Sequence, residues 1–64
     1  MVMINGTAYD LAGNTILEYL TKAGYDTKRI AVECNERIIP KAQYAQTVLR
    51  NDDVLEVVSF VGGG

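Results

Sequence analysis

Apolar positions alternate from the first residues, with Val2 and Ile4 before Asn5-Gly6 and Tyr9 and Leu11 after it. Asn-Gly favours a two-residue type I′ turn, because both central positions need positive φ. The pattern therefore predicts a hairpin in which Val2, Ile4, Tyr9 and Leu11 share one face, assigned to the core. In "GNTILEYLTKAGY" the period lengthens. Thr15 followed by Glu18 has capping-box spacing, each side chain satisfying a backbone N–H that the helix leaves free. Ile16, Leu17, Leu20 and Ala23 fall on one apolar stripe, with Tyr19 and Lys22 towards the other side. Gly24 is placed to end the helix in the left-handed conformation.

"RIAVEC" returns to alternation, with Ile30, Val32 and Cys34 on one face and Ala31 and Glu33 on the other. Asn35-Glu36 is a tight turn into a short strand, "RII", which Pro40 ends because proline has no N–H for a ladder. "KAQYAQTVL" lacks a clean helical stripe and reads as a short helical turn and a loop holding Tyr44, Val48 and Leu49. After the polar turn "NDD", "VLEVVSFV" is the strongest strand signal, dense in β-branched residues. Leu55 and Val57 point one way and Val54, Val58 and Phe60 the other. A strand apolar on both faces belongs in the middle of a sheet.

Hairpin, helix, strand, short strand, loop and long final strand pack economically as a mixed sheet with one helix across one face. The expected fold is α+β, the β-grasp of ubiquitin-like proteins, with about four to five strands, one main helix and a flexible C-terminal tail. Residues 1–60 form the expected domain and 61–64 the Gly-rich tail.

Composition narrows the chemistry. Sixty-four residues, 48% hydrophobic and 22% charged, suit one small globular domain. A core of this size leaves only about 3–5 kcal/mol of net stability. With no histidine and a single cysteine, the usual near-neutral base, an intramolecular disulfide and a cysteine-built zinc site are all excluded. The six basic residues are scattered and the net charge is −2, which argues against a nucleic-acid partner and suits a protein partner with a basic face. No apolar run approaches the roughly 20 residues of a membrane span, and "MVMINGT" turns polar too early for a signal-peptide core. A cytoplasmic setting and no membrane partner are expected.

The segment from Val32 to Gly64 resembles the ThiS family of sulfur carriers in thiamin biosynthesis. "NERIIPK", with Tyr44 three residues on, is similar to the family's turn, strand and proline-basic segment. "NDDVLEVV" resembles its acidic turn and last strand, and Gly63-Gly64 its ending. The first half agrees through the hairpin, the "GNT" helix start and the spacing. "NDD" stands where family members often have a glycine, and Cys34 where an aliphatic residue is usual.

Three origins compete for the closing "GGG": a frayed end, a tag remnant, or an arm made for insertion into another protein. The resemblance favours the arm. It implies that the Gly64 carboxylate is adenylated by a ThiF-like partner using ATP and Mg, becomes a thiocarboxylate, and donates sulfur to a ThiG-like thiazole synthase. A separate sulfur-donor system is implied as well. The carrier would be a protein substrate and not an enzyme, with no cofactor and no metal of its own. Indeed no phosphate-binding glycine loop with its lysine occurs in the chain. Gly62, Gly63 and Gly64 would enter partner active sites; a four-residue arm from Val61 reaches roughly 13 Å when extended. Val58, Phe60 and Val61 would form the docking surface, an alternative being an ordinary half-buried strand face. Tyr44 and Pro40 read as a loop staple, Lys41 and Arg37 as solvated charges, and Cys34 as a core thiol. A carrier for molybdopterin or another sulfur pathway, and a β-grasp interaction module without carrier chemistry, are the competing functions.

Overall fold

Two Asn-initiated turns and one central strand organise the structure, a computed structural model that describes residues 1–60; Val61 to Gly64 lie outside the described residues. Strands β1 (Val2–Ile4) and β2 (Thr7–Tyr9) form the N-terminal hairpin. Helix α1 (Ile16–Ala23) follows, then β3 (Ile30–Cys34), β4 (Arg37–Ile39) and β5 (Val54–Ser59). Short 3₁₀ turns cover Thr27–Arg29 and Lys41–Gln43. The five strands order β2-β1-β5-β3-β4, so β5 is central, parallel to β1 and antiparallel to β3. This is the expected mixed sheet with one helix.

Both hairpins turn as the sequence predicts. Asn5 and Gly6 have φ of 50° and 83°, and Asn35 and Glu36 have 52° and 68°, so each pair occupies the left-handed region. Each asparagine does a second job. The side chain of Asn5 accepts from the Val57 N–H at 2.8 Å and donates to the Val57 carbonyl at 3.2 Å. It thereby extends the β1–β5 ladder one step beyond the point where the backbone turns away. At the other end of β5, Asn35 Oδ1 accepts from the Val54 N–H, and its Nδ2 donates to Asp53 Oδ1. In the turn before β5, Asp52 takes φ 73°, in the left-handed region that favours glycine.

Helix α1 begins with every free amide satisfied. Thr15 and Glu18 form the capping box at 3.1 and 2.7 Å, and the Tyr19 N–H reaches the Thr15 carbonyl. The Ile16 and Leu17 N–H groups donate to the Thr47 and Tyr44 carbonyls of the loop before β5. That loop therefore plugs the positive end of the helix instead of leaving it open to an anion. Gly24, at φ 85°, closes the other end.

The core comprises Val2, Ile4, Ile16, Tyr19, Leu20, Ile30, Val32, Tyr44, Leu49, Leu55 and Val57. Three side chains depart from the sequence reading. Tyr19, expected on the outer side, is buried, while Ala23 is exposed. The buried stripe runs Ile16, Tyr19, Leu20, at i, i+3 and i+4. Tyr19 completes it because its ring reaches Tyr9 and Tyr25, at centroid distances of 5.8 and 6.3 Å. Tyr9 lies opposite Val2 but on the edge strand, so it stays partly exposed despite its contact with Tyr19. Burial raises the Tyr19 phenol pKa, helped by its two tyrosine neighbours, and burial raises that of Tyr44.

The Asn5 clamp is measurable. Asn5→Gly keeps the left-handed turn and loses only the two bonds to Val57, a cost of about 1–3 kcal/mol in urea unfolding. Asn5→Ala adds the strain of a Cβ at positive φ, a further cost of about 1–2 kcal/mol. Equal stabilities of the two variants and wild type would remove the clamp from the account of β5.

Candidate functional site

The helix covers one face of the sheet and leaves the other open. Alternation along β5 sends Leu55 and Val57 into the core and exposes Val54, Glu56, Val58 and Phe60. Val58 and Phe60 are 53% and 55% accessible. The register brings Ala31 opposite Val58, Glu33 opposite Glu56, Ile38 opposite Glu33, and Met3 opposite Val54. Ile38 is 76% accessible, and Met3 and Val54 are exposed too. The open face is thus a band of apolar side chains crossed by one row that carries two carboxylates. Sequence parity places Val58 and Phe60 on this face. The same parity gives Val54, but it does not reveal Met3 and Ile38 as their companions, because that grouping depends on strand order.

The Phe60 N–H donates to the Arg29 carbonyl at 2.7 Å, so the chain is still tied to the end of the 27–29 turn where it leaves β5. Lys28 and Arg29 flank that point, and Lys41 Nζ donates to the Lys28 carbonyl at 3.2 Å. Arg29 pairs loosely with Asp26 at 3.7 Å. Val61, Gly62, Gly63 and Gly64, expected as the exit and inserted arm, fall outside the described residues.

Among the described residues no three His, Cys, Asp or Glu side chains group as a metal site. No helix among them is long and apolar enough to cross a membrane. Cys34 is half-buried, and burial, reinforced by the Asp53 carboxylate, pushes its thiol pKa up. A raised pKa means less thiolate, the opposite of an activated nucleophile. Tyr44 is fully enclosed, with its carbonyl on the helix start, whereas Pro40 is exposed.

The ThiS family model matches residues 2–64. The chain belongs to the ThiS family. Among curated relatives, the "Sulfur carrier protein ThiS" of Thermus thermophilus is 38% identical over 64 residues, covering both chains completely. A "Thiazole synthase" of Paramagnetospirillum magneticum is 39% identical over 64 residues, which are 98% of this chain but 20% of that protein. The chain therefore spans about a fifth of the length of the thiazole synthases it matches. A crystal structure of a thiamine biosynthesis protein (ThiS) from Geobacter metallireducens shares the fold. Its TM-score is 0.78 at 24% identity, over 98% of this chain and 97% of the other. The ThiS β-grasp is thus reproduced across the sheet and helix.

Cys34 provides a direct check on where chemistry does not reside. In the native protein it should alkylate more slowly than free cysteine near pH 8, becoming normally reactive in urea. Fast native labelling, followed by pH titration of the rate to a midpoint below the ordinary thiol value, would contradict the assignment.

Proposed function

We propose that this protein carries sulfur for assembly of the thiazole ring of thiamin, as a protein substrate of other enzymes and not as a catalyst. The observation that carries this reading is the end-to-end match to a sulfur carrier of the ThiS family, in a chain whose last residues are Gly62-Gly63-Gly64. A carboxylate resists nucleophilic attack because its charge is delocalised. A ThiF-like partner, supplying the ATP and Mg site, joins the Gly64 carboxylate to AMP with loss of pyrophosphate. A sulfur nucleophile then displaces AMP and leaves a thiocarboxylate. On thiazole synthase the thiocarboxylate sulfur bonds to an electrophilic carbon of the substrate, and attack of an oxygen nucleophile on the Gly64 acyl carbon breaks its C–S bond and restores the carboxylate. The proposed setting is the cytoplasm.

Glycine suits this arm because it passes through channels too narrow for side chains. Ordering it costs about 1–2 kcal/mol per residue, which docking of Val58, Phe60 and Val61 against the partner offsets. Thiazole synthases that contain a ThiS-like stretch within one chain support a partnership between the two proteins.

Incubation with ATP, a sulfur donor and the adenylating enzyme should add the mass difference of one oxygen exchanged for sulfur, and deletion of Gly64 should abolish it. An unmodified wild-type chain beside a competent partner would point instead to an interaction module. Phe60→Asp should keep the fold by circular dichroism yet weaken binding to the adenylating enzyme by about tenfold or more, as loss of an aromatic anchor does. Unchanged affinity would remove Phe60 from the docking surface.

A further inference from the structure

The row crossing the open face carries an arrangement that folding alone does not favour. Glu33 and Glu56 lie directly opposite one another on β3 and β5. Their Cβ atoms are therefore about 4.5–5.5 Å apart, a spacing at which like charges destabilise a sheet. Among the described residues neither takes part in an ion pair. Together with Asn35, Glu36 and Val54 they line a depression of about 360 Å³, so the carboxylates border a concavity within the apolar face. Exposed Val54 and Val58 flank Glu56 along β5, and exposed Ile38 lies opposite Glu33.

We infer that this depression is a socket for a basic side chain, arginine by preference, projecting from an apolar docking surface on thiazole synthase. The assignment rests on the carrier reading above. Two carboxylates one strand apart match a planar guanidinium, which can donate to both, and the surrounding valines and isoleucine exclude water as the surfaces meet. Thiazole synthase is the chosen occupant because some of its members contain a ThiS-like stretch in the same chain. In those relatives linkage holds the two parts together at high effective concentration, which marks thiazole synthase as a partner that a ThiS-like surface meets. A charge-matched socket steers that encounter and penalises partners that lack the cation.

The test uses Glu33→Gln, Glu56→Gln and the double variant, measured for thermal unfolding and for binding to purified thiazole synthase between low and high salt. Relief of the like-charge pair should leave the melting temperature unchanged or higher. Affinity should fall about tenfold, and its dependence on salt should flatten. Affinity and salt dependence equal to wild type would overturn the socket, as would a loss confined to the adenylating enzyme or a wild-type chain that fails to bind thiazole synthase. Sulfur loading, read separately by mass, distinguishes these outcomes: a chain that loads sulfur but ignores both glutamates refutes the socket and leaves the carrier standing.

Discussion

The architecture depends on β5 having a backbone partner on each side. A central strand fills both of its hydrogen-bonding edges, and here the two edges are filled by opposite ends of the chain, β1 and β3. Asn5 and Asn35 complete the arrangement. Each sits in a left-handed turn and turns its amide onto β5, replacing a backbone group at the point where the neighbouring strand departs. A one-residue slip of β5 would move Leu55 and Val57 out of the core and bring Val58 in. The amides and the apolar alternation specify the same register, and that register also determines which residues occupy the open face.

The two faces of the sheet follow different requirements. The covered face is shaped by packing: the helix supplies Ile16, Tyr19 and Leu20, and the 44–49 loop adds Tyr44 and Leu49 while occupying the helix N-terminus. The open face keeps valine, isoleucine, methionine and phenylalanine in contact with solvent and sets two carboxylates against each other. Neither feature improves folding. A domain with little stability to spare retains them, which is the pattern expected where association governs the choice of residues.

Much of this was legible in local sequence because it is local in cause. Asn5-Gly6, the Thr15–Glu18 box, Gly24 and Pro40 act within a few residues of themselves, and each structural feature they predict is present. The β5 alternation likewise places Val58 and Phe60 correctly on the exposed side. The burial of Tyr19 was not legible, since it depends on Tyr9 and Tyr25 arriving from a strand and from beyond the helix stop. The Asn5 and Asn35 clamps depend on strand order, as does the meeting of Glu33 with Glu56. Position in the chain tells which face a residue takes; only the topology tells what stands beside it.

The parallel joint between β1 and β5 has a kinetic meaning. The Asn5–Val57 contact spans 52 positions, while the β1–β2 and β3–β4 hairpins close over very short loops. Short loops form early and distant pairings late, because more chain entropy must be lost before the distant contact is made. Loop-closure entropy therefore favours the two hairpins and the helix as the first elements to form and the β5 pairings as the last. Until those pairings form, β1 and β3 present unpaired edges to other chains. The strand left for last is thus the one that leads directly to the closing glycines of the sequence.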